Sequence, residues 1–279
     1  SPGSSGSPVV NTRGRVVGIA TFQFIQGQNL NFAVTTRQIR ALRKLDPTLS
    51  VSEWTFHHLR NKPKAAEALC QSGFSFSVNG ESHKALEYFR KATETDPSDA
   101  DAWSGLGSCY AGLNHPEDAV TAYKQAVAAA PRDEAAHFFL GNYFSRIGRL
   151  PEAVAAYQEA IAINPQFEAA YFNMGLVFSR LGRYEEGRRA FESVVRLNPE
   201  AAPAHYNAGL AYSQLGRFED AIGAQKTAIR LDPEFAPAFY AMGEAFDRLG
   251  RDAEGVRAYR EAIRVDPEFA PAHYAIGAA

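Results

Sequence analysis

The chain has 279 residues, 46% hydrophobic and 22% charged, with a formal net charge of −2 and two cysteines. That is a globular composition, too apolar and too weakly charged for a disordered chain. No apolar run reaches the roughly 18 residues of a membrane span, so a soluble chain is expected. Cys70 and Cys109 are too few for a disulfide scaffold and too far apart for a CxxC metal or redox site. The charge is unevenly spread: residues 1–65 hold nine Lys/Arg against two Asp/Glu, whereas the remainder is acidic. Two differently built segments are expected. The first residues lack the charged and apolar regions of a signal peptide. With Ser1 at one end and Ala279 inside a helical pattern at the other, the chain reads as a piece of a longer protein.

Residues 1–45 open on Gly3-Ser4-Ser5-Gly6-Ser7-Pro8. Arg13-Gly14 predicts a turn, Val16 to Phe24 a β-branched and aromatic strand, and Gln26 to Asn29 a second turn. Leu30 to Val34 predicts another strand and Thr35 to Lys44 a short amphipathic helix. Such hairpins are marginal alone. A Ser-Gly-rich start can also be a plain linker, but the predicted strands and helix argue against that. The segment resembles the C-terminal end of a trypsin-like serine protease domain of the bacterial high-temperature-requirement kind. The resemblance rests on the Gly-x-Ser-Gly-x-Pro motif, Val17-Gly18-Ile19 and Asn31-Phe32-Ala33-Val34, with Ser7 where that family has Gly. It implies Ser5 as nucleophile and the backbone N–H groups of Gly3 and Ser5 as oxyanion hole. It also implies that the strand around Thr21, Phe22 and Gln23 pairs with substrate backbone. A serine nucleophile needs a general base. All seven histidines follow Ser5, the first being His57, whereas the family order is His, Asp, Ser. The chain alone is therefore expected to be inactive, its base and acid lying upstream.

Residues 46–65 read as a joining segment. Arg60, Lys62 and Lys64 make it basic, but no basic and aromatic pattern continues downstream, so nucleic acid is not an expected partner.

From Ala66 a repeat takes over. Pro97, Pro131, Pro165, Pro199, Pro233 and Pro267 are spaced by 34 residues. With this proline at position 32, the repeats run 66–99, 100–133, 134–167, 168–201, 202–235, 236–269 and 270–279, the last partial. Position 8 is Gly throughout, position 11 aromatic, position 20 Ala or Gly, and position 24 aromatic except Gln225. Apolar positions 4, 7, 8, 11, 20, 24 and 27 have helical spacing, so each repeat predicts two antiparallel helices. Position 15 is Gly80, Gly148, Gly182, Gly216 or Gly250, with Asn114 the exception, as expected where a helix ends in positive φ. The repeating proline disfavours helix in the residue before it and ends the second helix. Pro203, Pro237 and Pro271 fall in the first turn of the next first helix, where a missing N–H does no harm.

This segment resembles the tetratricopeptide repeat, most closely through Trp103, Leu106, Gly107, Tyr110, Ala119, Tyr123 and Pro131. The expected fold is mainly α: a solenoid of six full helix-turn-helix repeats plus a truncated seventh, preceded by a short β segment from a trypsin-like barrel. His137, His205 and His273 recur at position 4 and mimic a ligand ladder, but zinc needs three or four ligands converging on one point. They are expected to pack, and no metal or cofactor is expected.

The resemblance implies that the first helices line an inner groove, with positions 2, 5, 6, 9, 12 and 13 facing it. The candidate peptide-binding residues are Phe138, Phe172, Tyr206 and Tyr240 at position 5, Asn173 and Asn207 at position 6, and Arg146, Arg180 and Arg248 at position 13. Tyr274 extends the aromatic row. Aromatic anchors, amides for a peptide backbone and arginines for carboxylates suit an extended segment. The alternative is that these residues only stabilise the repeat. The family's clamp for chaperone C-termini uses Lys at position 5 and Asn at position 9. Cys70 and Phe74 stand there in repeat 1, so that ligand is not expected. Two functions remain open: a partner- or substrate-binding module fused to a trypsin-like protease, or a non-catalytic scaffold for a multiprotein complex.

Overall fold

The computed structural model describes residues 7–10, 16–20, 22–25, 28–31 and 64–278. Four strands form two antiparallel pairs. Strand β1 (Ser7–Val10) pairs with β2 (Val16–Ala20), with a register shift between Val9 and Val10. Strand β3 (Phe22–Ile25) pairs with β4 (Gln28–Asn31), bringing Ile25 opposite Gln28. The single strand expected over Val16 to Phe24 is thus divided between two sheets, and the last strand starts two residues before Leu30. Ser5 and Gly3 lie outside the described residues, as do Thr21, the helix expected over Thr35 to Lys44 and most of the joining segment.

Thirteen helices follow among the described residues. They are α1 (Lys64–Val78), α2 (Ser82–Thr95), α3 (Ala100–Gly112), α4 (Pro116–Ala129), α5 (Glu134–Arg146), α6 (Leu150–Ile163) and α7 (Glu168–Arg180). Then come α8 (Tyr184–Leu197), α9 (Ala202–Gln214), α10 (Phe218–Leu231), α11 (Ala236–Arg248), α12 (Asp252–Val265) and α13 (Ala270–Ala278). The chain forms two compact parts, Ser1–Cys109 and Tyr110–Ala279.

The turn chemistry falls where the sequence puts it. Gly80, Gly148, Gly182, Gly216 and Gly250 have φ of 69° to 79°, and Asn114 has φ 62°. Asn is the side chain that tolerates this left-handed region best. At the other end of each repeat, Asn164, Asn198, Asp232 and Asp266 cap the second helix with φ near −135° and then meet proline. That extended geometry is what proline imposes on its predecessor.

In the first part, α1 and α2 form a hairpin. A Cβ on Gly73 would lie 2.9 Å from the Phe89 ring, and one on Gly105 only 2.4 Å from it. Ser72, polar at an apolar position, donates to the Ala68 carbonyl at 2.8 Å and so costs the hairpin little.

In the second part each helix from α4 to α13 packs on the next. The glycine at position 8 sits under the ring at position 24. Added Cβ atoms would lie 2.8 Å from Tyr157 at Gly141, 2.7 Å from Phe191 at Gly175 and 2.4 Å from Tyr259 at Gly243. Tyr157, Phe191 and Tyr259 are at most 2% exposed. Burying such a ring contributes about 2 kcal/mol, and only glycine leaves it room. In repeat 5 Gln225 takes the ring's place. It is 1% exposed, donates from Nε2 to the Tyr206 carbonyl at 3.1 Å, and leaves Oε1 buried without a partner.

The histidine ladder has a local purpose. Nε2 of His137, His205 and His273 lies 3.2, 3.1 and 2.8 Å from the carbonyls of Pro131, Pro199 and Pro267. Trp103 Nε1 donates in the same way to Pro97 at 2.9 Å. A carbonyl only accepts, so each histidine carries its proton on Nε2. Histidine or tryptophan at position 4 therefore ties the first helix to the turn before it, whereas Phe239 at the same position packs against the Tyr259 cluster. Among the described residues no cluster of three or more His, Cys, Asp or Glu could hold a metal.

Candidate ligand-binding face

The first helices α5, α7, α9 and α11 touch one another in succession, while the second helices make no comparable contact with each other. The first-helix side is therefore the inner side of the second part. It is the side that the sequence assigned to ligands.

The nine candidate residues are not equivalent. Phe138 is 3% exposed, its ring enclosed by Phe139, Tyr157 and Phe167 at 4.9 to 5.9 Å between centroids. Phe172, Tyr206 and Tyr240 are half-buried. Phe172 meets Phe191 at 5.6 Å, Tyr206 meets Phe235 at 5.0 Å, and Tyr240 meets Tyr259 at 5.5 Å. Tyr274 is 81% exposed.

The polar candidates of repeats 3 and 4 are joined. Tyr157 Oη donates to Asn142 Oδ1 at 2.8 Å, and Asn173 Nδ2 donates to the same oxygen at 2.7 Å. Arg180 donates from one guanidinium nitrogen to the Ser145 carbonyl at 2.9 Å and to its Oγ at 3.1 Å. Asn142 and Ser145 occupy positions 9 and 12. The sequence reading placed those positions on the inner face but did not single out the residues. Asn207 donates to the Pro203 carbonyl at 2.8 Å.

Repeat 6 carries carboxylates at positions 9 and 12, Glu244 and Asp247, where repeats 3 and 4 are uncharged. Tyr240 donates to Glu244 Oε1 at 3.0 Å, and Tyr259 donates to Asp247 Oδ2. Burial, then the nearby Glu244 charge, pushes the Tyr240 hydroxyl up to about 12. The Tyr259 hydroxyl is raised further, by burial and its bond to Asp247. Both phenols stay protonated, so they serve as donors.

The arginines divide into two classes. Those at position 16 are committed. Arg149, Arg183, Arg217 and Arg251 lie 4.6 to 4.7 Å from the centroids of Phe144, Phe178, Tyr212 and Phe246. Each also pairs with the acid three residues on: Glu152, Glu186, Asp220 or Glu254. Arg188 joins repeats 4 and 5 by pairing with Glu185 and Glu192 beside the Tyr212 ring, and it holds the Glu185 carboxyl down at about 2. Arg146, Arg180 and Arg248, at position 13, are exposed and enter none of the ion pairs among the described residues.

A helical hairpin repeated every 34 residues, with position-8 glycine under a position-24 ring, defines a helical-repeat protein of the solenoid class. Tetratricopeptide-repeat profiles match residues 79–142, 141–182, 172–234 and 236–269, and the chain is a tetratricopeptide-repeat protein. Solved structures agree. MamA is 27% identical with a TM-score of 0.55, over 59% of this chain and 96% of MamA. YrrB, a TPR protein described as having an unusual peptide-binding site, is 21% identical with a TM-score of 0.59, over 68% and 98%. PilF of Pseudomonas aeruginosa is 20% identical with a TM-score of 0.63, over 77% and 98%. No curated protein is significantly similar to the chain in sequence. The family matches begin at residue 79, and the trypsin-like resemblance of residues 1–45 receives no support from these comparisons. Among the described residues, no helix is long and apolar enough to cross a membrane.

Proposed function

We propose that repeats 3 to 7 bind an extended segment of a partner protein along the first-helix face. One observation carries the reading: arginines suited to ligand carboxylates keep their charge unpaired there, while those at position 16 are neutralised by an acid. Among the described residues Arg146, Arg180 and Arg248 enter no ion pair, unlike the arginines at position 16, and Arg146 lies 4.8 Å over the Tyr143 ring. Arg180 is also held in place by Ser145, which lowers the entropy lost on binding. The peptide-binding site ascribed to YrrB is compatible with this use of the fold.

Peptides selected from a random dodecapeptide library test it. Arg180→Ala and Tyr206→Ala should weaken their binding in fluorescence anisotropy, and Arg217→Ala should not. Binding unaffected by the first two variants would remove the inner face from consideration.

The reading extends to a parent protein in which this module recruits substrate to a trypsin-like endopeptidase, with Ser5 as nucleophile and Gly3 in the oxyanion hole. It is supported by the Gly3–Pro8 motif and by the antiparallel strand pairs that begin at its last two residues. The coding sequence upstream decides: a His followed by an Asp supports the protease. If either is missing, the module is a scaffold.

A further inference from the structure

We infer that the ligand of the inner face is a charge-segregated peptide, acidic over repeats 3 and 4, apolar at its centre and basic over repeat 6. The inference rests on the binding face proposed above and specifies its ligand. It starts from positions 9, 12 and 13, read repeat by repeat. Repeat 3 presents Asn142, Ser145 and Arg146; repeat 4 presents Leu176, Ser179 and Arg180. Repeat 5 presents Leu210, Ser213 and Gln214; repeat 6 presents Glu244, Asp247 and Arg248. The face therefore carries one positive charge in each of repeats 3 and 4, none in repeat 5 and a net negative charge in repeat 6.

The geometry sharpens this gradient. At the positive end no carboxylate is paired with Arg146 or Arg180, and the Arg180 fork is anchored through one nitrogen, which leaves its other donors for a ligand carboxylate. Toward the centre, position 9 is Leu176 in repeat 4 and Leu210 in repeat 5, and Leu176 is 36% exposed. At the negative end Glu244 and Asp247 accept from neutral tyrosine hydroxyls and, among the described residues, enter no ion pair, so their charges are hydrogen-bonded but not neutralised. A ligand of uniform charge gains at one end and is repelled at the other; a segregated one gains at both. First helices in contact lie roughly 10 Å apart, so repeats 3 to 6 span roughly 30 Å. An extended chain rising about 3.3 Å per residue puts its acidic and basic ends about nine residues apart. The face does not distinguish the two chain directions by charge alone.

The test uses a random dodecapeptide library displayed against the whole chain and three variants: Arg146→Glu/Arg180→Glu, Glu244→Lys/Asp247→Lys and Leu176→Arg. All substituted side chains are at least partly exposed, and melting curves check their folding. Peptides enriched on the wild type should carry Asp or Glu at one end and Lys or Arg at the other. Their affinity should fall roughly tenfold on either double charge reversal, an effect that shrinks at high salt. A peptide with its acidic end changed to lysine should regain affinity for Arg146→Glu/Arg180→Glu. Enriched peptides that lose binding on Leu176→Arg but show no charge segregation overturn this inference and leave the binding face standing. Peptides that bind all three variants equally, or no enrichment at all, overturn the binding face itself.

Discussion

Two rows of arginine run through the second part of the chain on the 34-residue repeat, three residues apart in sequence, the inner row broken by Gln214 in repeat 5. On the turn side, Arg149, Arg183, Arg217 and Arg251 each stack on the position-11 ring and pair with the acid at position 19. On the inner side, Arg146 lies over the Tyr143 ring and Arg180 bonds to Ser145, but among the described residues neither they nor Arg248 enter an ion pair. The first repeat even keeps the turn-side arrangement with its signs exchanged: Glu81 pairs with Lys84, whose ammonium lies over Phe76 at 5.3 Å. Recurrence alone therefore does not mark function. What separates scaffold from binding face is whether the fold already neutralises the side chain's charge. Substitutions should divide along that line, with stability responding at one set of positions and binding at the other.

The largest effect is expected where backbone meets ring. Gly175→Leu must place a side chain where a Cβ already comes within 2.7 Å of Phe191. Overpacking of this kind should cost about 3 kcal/mol, read as a lower urea midpoint. A midpoint within experimental error of the wild type would show that the helix register assigned here is wrong.

Gln225 offers a test in the opposite direction. Its buried Oε1 lacks a partner, and its neighbours in other repeats place an aromatic ring over the facing glycine. Gln225→Tyr removes the orphaned acceptor and should raise stability by about 1–2 kcal/mol. A fall instead would mean that Gln225 is fitted to repeat 5 in a way the other repeats do not reveal.

Two glycines separate conformational need from habit. Gly148 has φ +79°, so Gly148→Ala should cost about 1 kcal/mol although no atom stands in the way. Gly223 lies within α10 with nothing within 4 Å of an added Cβ, and Gly223→Ala should gain up to about 1 kcal/mol. Opposite shifts in melting temperature check both at once.

Much of this was legible in the sequence because it is local. A glycine or asparagine at position 15 and a proline at position 32 act on their own backbone, so spacing alone located every turn from Gly80 to Gly250. Burial was less legible, because it depends on what the neighbouring hairpin brings. Phe138 and Tyr274 occupy the same position and read alike, yet one is 3% and the other 81% exposed. Phe167 and Tyr157 cover the first, and no second helix follows α13 among the described residues to cover the second. The histidines were misplaced for a related reason. Position 4 reads as apolar from Leu69, Tyr171 and Phe239, whereas its ring nitrogen, when present, reaches a proline carbonyl six residues back. Asn142 and Ser145 carried a signal in their positions, but only the bonds to Asn173 and Arg180 distinguish them from other polar surface residues.

The smallest stability effects are the most informative about function. Arg217→Ala removes a guanidinium 4.7 Å from the Tyr212 ring and 2.7 Å from Asp220. Both interactions are solvent-exposed, so the loss should be only about 0.5–1 kcal/mol, and binding of a selected peptide should not change. Arg180→Ala forfeits only hydrogen bonds to Ser145 at an exposed site and should leave the melting temperature nearly unchanged while weakening the peptide. The pair forms a crossed test in which each variant is the other's control. If Arg180→Ala destabilised the fold as much as Arg217→Ala and left binding intact, the inner row would belong to the scaffold, and the distinction between used and unused arginines would lose its functional meaning.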